Sequence, residues 1–300
     1  MRVFLTGGTG FLGRHLIATL AARGDSCVVL SRSAEALSIP GVELVQGDPR
    51  SGGAWMERVS GCDVVVNLAG QVILDPPRRW TARTKQALIA SRVATTLQVV
   101  AAIRAAAQPP RLLVSGSAIG YYGAGHDQRL GERSPAGTDF LARLALAWED
   151  AASGANDACR VALLRTGLVL GLDGGALARL LPLFRLGAGG PWGDGQQWWS
   201  WIHVADWVGV VRWIIERELT GPVNVVAPEP VTVNEFAARL GSALHRPAVI
   251  RAPAFALRLL LGEAASALLD LQRAVPTRAL ETGYRFLFPT INSALTDLLR

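Results

Sequence analysis

Lysine is nearly absent from this 300-residue chain. Of its 30 basic residues, 29 are arginine and the remaining one is Lys85. The arginines are scattered along the chain, so the formal net charge of +6 reflects residue usage and lacks the basic stripe of a nucleic-acid surface. We therefore expect no nucleic-acid partner.

Cysteine is also rare, and the residues present are odd in number and far apart: Cys27, Cys62 and Cys159. No metal-ligand spacing is present, and the pattern indicates small core residues in a reducing compartment. The most apolar late stretch, 254–271, is interrupted by Arg258, Glu263 and Asp270, which argues against a membrane span. The first residues have a strand pattern instead of a signal peptide, so we expect a cytoplasmic protein.

Strands and helices alternate over the first 170 residues. Continuous apolar runs rich in β-branched residues predict strands at 1–5, 27–30, 42–45, 63–66, 112–114 and 160–166. Helical periodicity marks 84–107 and 139–152, the second with Thr138 as its N-cap. This alternation predicts an α/β fold with a doubly wound parallel sheet that is buried on both faces.

The alternation breaks after Gly171. Helices are predicted at 174–186, 204–218, 231–244, 254–273 and 291–299, with a Gly- and Trp-rich loop at 187–201 and a returning strand at 222–226. We expect 1–170 and about 202–227 to form a nucleotide-binding domain, and about 171–201 and 228–300 a smaller C-terminal lid. Ligands should bind in the cleft between the two parts.

A glycine-rich turn joins the first predicted strand to the first helix. It reads Thr6, Gly7, Gly8, Thr9, Gly10, Phe11, Leu12, Gly13, and its glycines satisfy G-x-G-x-x-G. Glycine lets the backbone bend sharply and lets a pyrophosphate approach the amides at the helix N-terminus. A glycine triplet alone is weak evidence, but its place between a strand and an amphipathic helix predicts a dinucleotide site.

The end of the second strand indicates which dinucleotide is preferred. A carboxylate there binds the ribose 2′-hydroxyl of NAD, whereas an arginine accommodates a 2′-phosphate. Ser31 and Arg32 occupy this place, and the next acid is Glu35. The pattern predicts NADP(H) in preference to NAD(H), the alternative being that Arg32 is simply one more surface arginine.

Further candidates for cofactor contact follow other strands at the same edge of the sheet. They are Asp48 after the third strand, Asn67, Leu68, Ala69 and Gly70 after the fourth, and Ser115 at the end of the fifth. Small residues let a cofactor pass, which favours a ligand role for the Asn67 segment. For Asp48, a solvated turn is an equally good interpretation.

These motifs together resemble the extended short-chain dehydrogenases/reductases of the sugar-nucleotide epimerase type. The resemblance rests on Thr6 to Gly13, Asn67 to Gly70, Ser115 to Ala118, Leu164 to Gly167 and Trp201 to Asp206. An atypical branch, the YfcH-like "epimerase family proteins" with a C-terminal domain of unknown function, is more similar still. That similarity covers essentially the whole chain and rests on Ser117 to Gly123, Pro191 to Trp198, and a tail from Val275 to Phe286.

The resemblance implies a Rossmann domain that binds NADP(H) with its nicotinamide near Ser117. In active relatives a serine at this strand end bonds the substrate oxygen, and a tyrosine acts as acid and base. A lysine one helical turn after the tyrosine lowers the tyrosine pKa. Because Tyr and Lys must share one helix face, the chemistry requires the Tyr-x-x-x-Lys spacing.

The sequence departs from its relatives at this point, because the helix from Asp139 contains neither residue. Their places are taken either by Phe140 with Leu144 or by Leu141 with Ala145, and none of these side chains can donate or accept a proton. Arg92 falls where relatives commonly place an active-site Asn. Its permanent charge suits binding of an anion better than proton transfer.

Other side chains are candidate substitutes for the missing pair. Tyr122 is the candidate acid/base, although Tyr121 and Tyr122 packing over the sheet edge is the alternative. Lys85 is expected in solvent, and His203 with Asp206 in a structural turn.

The late loops hold two more open alternatives. His126 and Asp127 either contact substrate or lie in a solvated loop. A cluster of four tryptophans either stacks on a ligand or forms an interdomain core, and the two interpretations are equally favoured: Trp192, Trp198, Trp199 and Trp201.

The combined expectation is an NADP(H)-binding oxidoreductase or epimerase that acts on an unknown small molecule through Ser117 and a non-standard proton donor. The alternative is a non-catalytic NADP(H)-binding redox sensor or interaction protein. An oligomer is compatible with the sequence.

Overall fold

The protein is centred on a parallel sheet, seen in a computed structural model that describes residues 1–33, 40–124 and 127–300. In chain order the strands are β1 (Arg2–Thr6), β2 (Ser26–Ser31), β3 (Val42–Gln46), β4 (Val64–Asn67), β5 (Leu112–Ala118), β6 (Arg160–Thr166), β7 (Leu168–Leu170), β8 (Trp198–Trp199), β9 (Trp201–His203), β10 (Gly221–Val225) and β11 (Val231–Thr232). The main sheet has 7 strands in the order β10-β6-β5-β4-β1-β2-β3. The chain winds outward from β1 in both directions, which confirms the predicted doubly wound fold.

Ten α-helices surround the strands within the described residues. They are α1 (Phe11–Ala22), α2 (Ala82–Ala105), α3 (Phe140–Ser153), α4 (Gly175–Arg185), α5 (Val204–Arg217), α6 (Val233–Ala243), α7 (Ala254–Leu261), α8 (Ser266–Leu269), α9 (Thr277–Glu281) and α10 (Ile291–Leu298). Short 3₁₀ segments cover Ala54–Val59, Ile119–Tyr122 and Gly262–Ala265.

Successive strand residues face two separate cores, as expected for a sheet covered on both sides. Val3 and Leu5 of β1 pack with α1 and α5 on one face. Phe4, between them, packs with α2 and with Trp55 on the other face. This two-sided burial explains why the strands are continuous apolar runs without polar alternation.

A further core lies in the C-terminal half. It joins α4, α6 and α10 around Trp192, Trp199 and Trp201, with Phe236 at its centre. Trp199 stacks on Phe236 at 4.9 Å between ring centroids, and Trp192 meets Trp199 edge-on at 5.1 Å. The predicted loop at 187–201 therefore contains short strands and core tryptophans.

Three local predictions differ from the structure. The helix predicted at 254–273 is broken into α7, a 3₁₀ turn and α8, and Gly262 stands at the first break with φ of +61°. The helix predicted from 231 begins at Val233, since Thr232 is its N-cap in a capping box with Glu235. Asp139, and not Thr138, caps α3 by accepting a 2.8 Å bond from the Ala142 amide.

The C-terminal tail is anchored to the start of α5. Asp206 is fully buried and accepts hydrogen bonds from the Leu287 and Phe288 amides, each at 2.8 Å. His203 caps α5 by accepting from the Ala205 amide at 3.0 Å, and its ring lies against Phe288. These contacts agree with the structural turn expected for His203 and Asp206.

Helix α2 is long and apolar enough, by length and composition, to cross a membrane, with a mean hydropathy of 1.4 over its best window. In the protein 44% of that window is buried, and the helix packs against α3 and the sheet. Core helices meet the same criteria, so this feature is weak evidence for a membrane span.

Candidate functional site

The glycine-rich turn after β1 brings three backbone segments closer together than side chains would allow. Gly7 has φ of +71°, and a Cβ there would lie 2.7 Å from the backbone of Leu68 and Ala69. A Cβ on Gly13 would lie 2.3 Å from the Gly7 carbonyl oxygen. The turn thus holds the N-terminus of α1 tightly against the ends of β1 and β4.

The N-terminus of α1 has no side-chain cap. Its N-cap is Gly10, no side chain of the described residues bonds the first amides, and its first turn holds no acidic residue. Unpaired amides at a helix N-terminus carry partial positive charge and bind phosphate oxygens. The residues present therefore fit the pyrophosphate of a dinucleotide.

A cavity of about 540 Å³ opens directly beside this helix end. Eight residues predicted to bind the cofactor line it: Gly7, Gly10, Phe11, Leu12, Gly13, Leu68, Gly70 and Arg92. Ser117, predicted to contact the substrate, lines the same cavity. One continuous space thus joins the helix N-terminus to Ser117.

Thr6, Asn67 and Ser115 were predicted to contact the cofactor, but their side chains are fully buried and do not line the cavity. Thr6 Oγ1 donates to Asn67 Oδ1 at 2.6 Å, and Asn67 Nδ2 donates to Thr96 Oγ1 at 2.8 Å. Ser115 Oγ accepts a longer bond of 3.4 Å from the same Nδ2. These bonds satisfy buried polar groups and fix the ends of β1, β4 and β5 beside the cavity.

Gly8, Thr9 and Ala69 are likewise absent from the cavity lining. A Cβ on Gly8 would lie 2.7 Å from the Val29 side chain, so this glycine allows α1 to pack on β2.

The predicted 2′-phosphate site lies at the end of β2, apart from the cavity. Ser31 is buried, and its Oγ accepts a bond from the Ser33 amide at 3.2 Å. Arg32 is exposed, as a residue that meets a ligand phosphate from solvent would be. Glu35, the next acid along the chain, lies outside the described residues.

Asp48 lies near Arg32 and is paired with Arg50. Arg50 donates to both carboxylate oxygens, the shortest bond being 2.7 Å. These hydrogen bonds lower the pKa of Asp48 to about 2, and the charge of Arg32 contributes further. The carboxylate is therefore ionised and already occupied by an arginine.

The wall of the cavity formed by α3 is apolar. Leu141, Leu144, Ala145 and Trp148 line it. Both members of the Leu141 and Ala145 register therefore face the cavity, where the family resemblance implies a tyrosine and a lysine in active members, whereas Phe140 of the other register does not line it. Phe140 instead packs edge-on against Trp80 at 5.1 Å. No proton-transfer group comes from this helix wall.

Ser117 is connected to a buried ion pair. Its Oγ donates to Glu149 Oε1 at 2.6 Å, and Arg165 binds both oxygens of Glu149 at 2.8 and 2.9 Å. The Glu149 and Arg165 side chains are only 7% and 4% exposed. The sequence predicts that Glu149 either pairs with an arginine or is exposed, and it gives no role in chemistry to Glu149 or Arg165. The pair forms only when α3 packs across the parallel strands β5 and β6.

The structure does not bring Tyr122 into the cavity. Its hydroxyl donates to Asn224 Oδ1 at 2.6 Å and accepts from Arg165 at 3.1 Å. Burial raises the pKa of Tyr122 to about 12, although Arg165 opposes the shift. The Arg165 guanidinium lies over the Tyr121 ring, with Cζ 3.4 Å from the ring centroid. Both tyrosines therefore pack around the ion pair.

Two ionisable side chains line the cavity among the described residues, Arg92 and Asp270. Asp270 follows α8 and is partly buried. Burial raises the pKa of Asp270, Arg258 opposes this shift and Asp139 adds to it. In the sequence Asp270 is only a break in an apolar stretch, because no local pattern indicates that this segment reaches the cavity.

The remaining candidates lie elsewhere. Lys85 bonds Glu263 at 2.5 Å and does not line the cavity. Trp198 donates to Asp127 at 2.9 Å, while the other three tryptophans of the cluster belong to the C-terminal core. His126 lies outside the described residues. In the part of the chain that the structure describes, no group of three His, Cys, Asp or Glu side chains is placed to hold a metal ion.

A doubly wound sheet, a glycine turn and an uncapped helix N-terminus at the carboxyl end of β1 define a dinucleotide-binding protein of the Rossmann class. The chain belongs to the NAD dependent epimerase/dehydratase family, whose sequence model matches residues 3–227. Residues 252–298 match a domain of unknown function, DUF1731. The resemblance to extended short-chain dehydrogenases/reductases is thereby confirmed.

Individual relatives narrow the position within this family. The chain is 40% identical over 310 residues to the Arabidopsis thaliana protein "Epimerase family protein SDR39U1 homolog, chloroplastic", covering all of this chain and 87% of the relative. It is 38% identical to human "Epimerase family protein SDR39U1", with all of both chains covered. The crystal structure of human SDR39U1 (isoform2) with NADPH superposes with a TM-score of 0.89 at 37% identity, covering 100% and 99% of the two chains.

Proposed function

We propose that this protein binds NADP(H) and transfers a hydride between the cofactor and a small substrate held beside Ser117, as an oxidoreductase or epimerase. The observation that carries this proposal is the single cavity that joins the uncapped N-terminus of α1 to Ser117. Bound NADP(H) supplies or accepts the hydride at its nicotinamide. The residues of this chain bind the cofactor, orient the substrate and exchange the proton.

The preference for NADP(H) over NAD(H) is part of the proposal. It is supported by Arg32 at the end of β2, where a carboxylate would favour NAD. The related human structure contains NADPH. Asp48 is held by Arg50, so it is less available to a ribose hydroxyl.

Ser117 contributes a substrate contact of defined polarity. Its proton points to Glu149, so the lone pairs of Oγ are free to accept a hydrogen bond from a substrate hydroxyl. The two hydrogen bonds from Arg165 hold the Glu149 carboxylate in place, which makes Glu149 a positioning residue. To polarise a carbonyl instead, the Ser117 hydroxyl must rotate away from Glu149.

Asp270 is the proposed non-standard proton donor or acceptor. It lines the cavity, and the rise in its pKa favours the protonated form more than in an exposed aspartate. No other carboxyl group lines the cavity among the described residues. Tyr122 has no part in this proposal because its hydroxyl is buried between Asn224 and Arg165.

The domain division and the compartment also remain proposals. Residues 1–170 with about 202–227 would bind the cofactor, while about 171–201 and 228–300 would form the lid that carries Asp270. Three free cysteines, two of them buried, support a reducing compartment such as the cytoplasm. The Arabidopsis relative is named chloroplastic, so relatives occupy at least one other compartment.

A non-catalytic NADP(H) sensor is the second candidate. The specific observation in its favour is the apolar pair Leu141 and Ala145 at the cavity wall, where relatives hold the acid/base pair. Such a protein would bind the cofactor and report its redox state through the lid.

One experiment separates the two candidates. NADPH and NADH are titrated by fluorescence, and NADPH-loaded protein is then screened against aldehydes and ketones by the loss of NADPH absorbance. Turnover by the natural chain supports the enzyme. Tight NADPH binding without turnover, together with a gain of turnover in a Leu141→Tyr/Ala145→Lys double variant, supports the sensor. Failure to bind either dinucleotide overturns both.

A further inference from the structure

Arg92 is a buried cation, and within residues 1–33, 40–124 and 127–300 it forms no ion pair. Its exposure is 8%, and no carboxylate of the described residues lies within 4.0 Å of its guanidinium. Burial lowers the pKa of Arg92 to about 10, which still leaves it charged at neutral pH. A charge removed from water without a partner is unfavourable, so such groups normally pair with a counter-ion.

The contacts of Arg92 leave part of the guanidinium free. Nη1 donates to the Leu88 carbonyl oxygen at 3.2 Å and to Ser91 Oγ at 3.3 Å, and Nη2 donates to the Gln71 carbonyl oxygen at 2.8 Å. Nε donates to no described residue, although a guanidinium has five N–H donors. Arg165, by contrast, forms a bidentate pair with Glu149 through Nε and Nη2.

Arg92 lines the cavity and contacts a residue that packs beside Ser117. A Cβ on Gly70 would lie 3.2 Å from Arg92 Cζ, so the glycine admits the guanidinium to the cavity. The same group lies 5.2 Å from the ring centroid of Trp148. Trp148 in turn packs on Gly116, the residue before Ser117. A Cβ on Gly116 would lie 2.6 Å from the Trp148 indole.

The pyrophosphate of the cofactor has its own binding place at the N-terminus of α1. Arg92 lies on α2 and contacts the wall formed by α3, where the lysine of relatives would supply a positive charge. Ala145 takes that lysine position, so the positive charge of the cavity comes from the neighbouring helix instead.

We propose that Arg92 binds an oxyanion, a carboxylate or a phosphate, on the substrate that the cavity takes beside Ser117. This rests on the proposed function. Apart from Ser117, Thr166, Asp270 and Gln272, the rest of the lining is apolar, and Leu141, Leu144 and Leu271 suit a hydrocarbon or aromatic body. The substrate class is therefore a small, largely apolar hydroxy or carbonyl compound that bears one acidic group.

The test is a binding experiment that needs no turnover. Benzoate, phenyl phosphate and uncharged benzamide are titrated into NADPH-saturated protein by calorimetry. We expect at least about tenfold tighter binding of an anionic probe than of benzamide, since a fork of charge-assisted hydrogen bonds forms only with the oxyanion. The ratio of benzoate to phenyl phosphate shows which oxyanion the site prefers.

Two variants on α2 form a matched pair. Arg92→Met should abolish the preference for anionic probes, and Arg83→Met, at an exposed position of the same helix, should leave it unchanged. Without ligand, Arg92→Met should also unfold at a higher urea concentration than the natural chain, because it removes an unpaired buried charge. A loss of binding in a protein that is more stable cannot come from misfolding.

The outcomes separate this inference from the proposed function. Retention of the anionic preference in Arg92→Met overturns the inference. The inference is also overturned if the natural chain shows no preference for anionic probes and Arg92→Met loses NADPH affinity tenfold. Arg92 then binds the pyrophosphate of the cofactor. If the natural chain binds neither dinucleotide, the proposed function fails, and the same titrations on the cofactor-free protein still test Arg92.

Discussion

The Ser117 hydroxyl donates a 2.6 Å hydrogen bond to Glu149 Oε1, and this bond joins the end of β5 to the middle of α3. It gives the serine one orientation, with its proton toward the protein and its lone pairs toward the cavity. Ser117 is thereby a hydrogen-bond acceptor in the protein without substrate. Its orientation is fixed by the Glu149 carboxylate, which does not itself line the cavity.

Replacement of Ser117 tests its contact with substrate. Ser117→Ala should lower kcat/KM for any substrate found by at least about tenfold, which corresponds to about 1.4 kcal/mol of lost transition-state stabilisation. NADPH affinity, measured by fluorescence titration, should change by less than about twofold. Unchanged turnover in this variant would show that Ser117 is structural.

The buried pair of Glu149 and Arg165 should matter far more to stability than an exposed pair of the same chemistry. Glu149→Gln leaves Arg165 charged and buried, and should cost about 3–5 kcal/mol in the free energy of unfolding. Asp157→Asn breaks the exposed pair with Arg104, which solvent screens, and should lower the free energy of unfolding far less than Glu149→Gln does. Urea unfolding of both variants measures the contrast, and equal losses would contradict it.

Arg32 should determine the choice of dinucleotide. Arg32→Ala should raise the Kd for NADPH at least about tenfold, equivalent to about 1.4 kcal/mol, because the 2′-phosphate loses its cation. The Kd for NADH should change by less than about twofold. Arg239→Ala, at an exposed arginine of α6, controls for net charge, and a similar effect there would argue against a specific phosphate contact.

Two glycines of the turn should respond differently to alanine. In Gly13→Ala the new Cβ meets the Gly7 carbonyl oxygen at 2.3 Å, so the backbone must move and the protein should lose about 1–3 kcal/mol or more of stability. In Gly10→Ala the nearest atom is 3.3 Å away, so the fold should persist while the methyl group hinders the approach of phosphate. Thermal unfolding and NADPH titration together distinguish the two effects. A Gly10→Ala variant with full NADPH affinity would place the cofactor elsewhere.

His203 should make stability depend on pH. Burial lowers the pKa of His203 in the folded protein, against raising contributions from Asp297 and Asp206. The unfolded chain therefore takes up the proton first, so stability is complete above about pH 6.5 and falls as the pH decreases below it.

The slope from this one group is at most about 1.4 kcal/mol per pH unit. His203→Asn keeps an N-cap acceptor for the Ala205 amide and should flatten the slope between pH 7 and 5, measured by urea unfolding. His245→Asn changes an exposed histidine at φ of +52°, which asparagine tolerates, and should keep the natural slope.

The sequence by itself determined the fold and the cofactor turn. Strand runs such as Val64–Asn67 and the glycines from Gly7 to Gly13 act locally, because burial on both faces and the lack of a Cβ constrain each segment whatever its distant neighbours are. The absence of Tyr-x-x-x-Lys from α3 could be predicted for the same reason, since one helix turn fixes the required spacing.

Only the tertiary structure decided how polar side chains are used. Thr6 and Asn67 stand at strand ends, where ligands bind, yet they bond each other because parallel pairing places them side by side. Glu149 and Arg165 meet across 16 residues of chain, and Asp270 reaches the cavity from the last third of the sequence. Partners of a buried charge come from whichever elements pack against it, and that choice is made by long-range packing, which no local pattern contains.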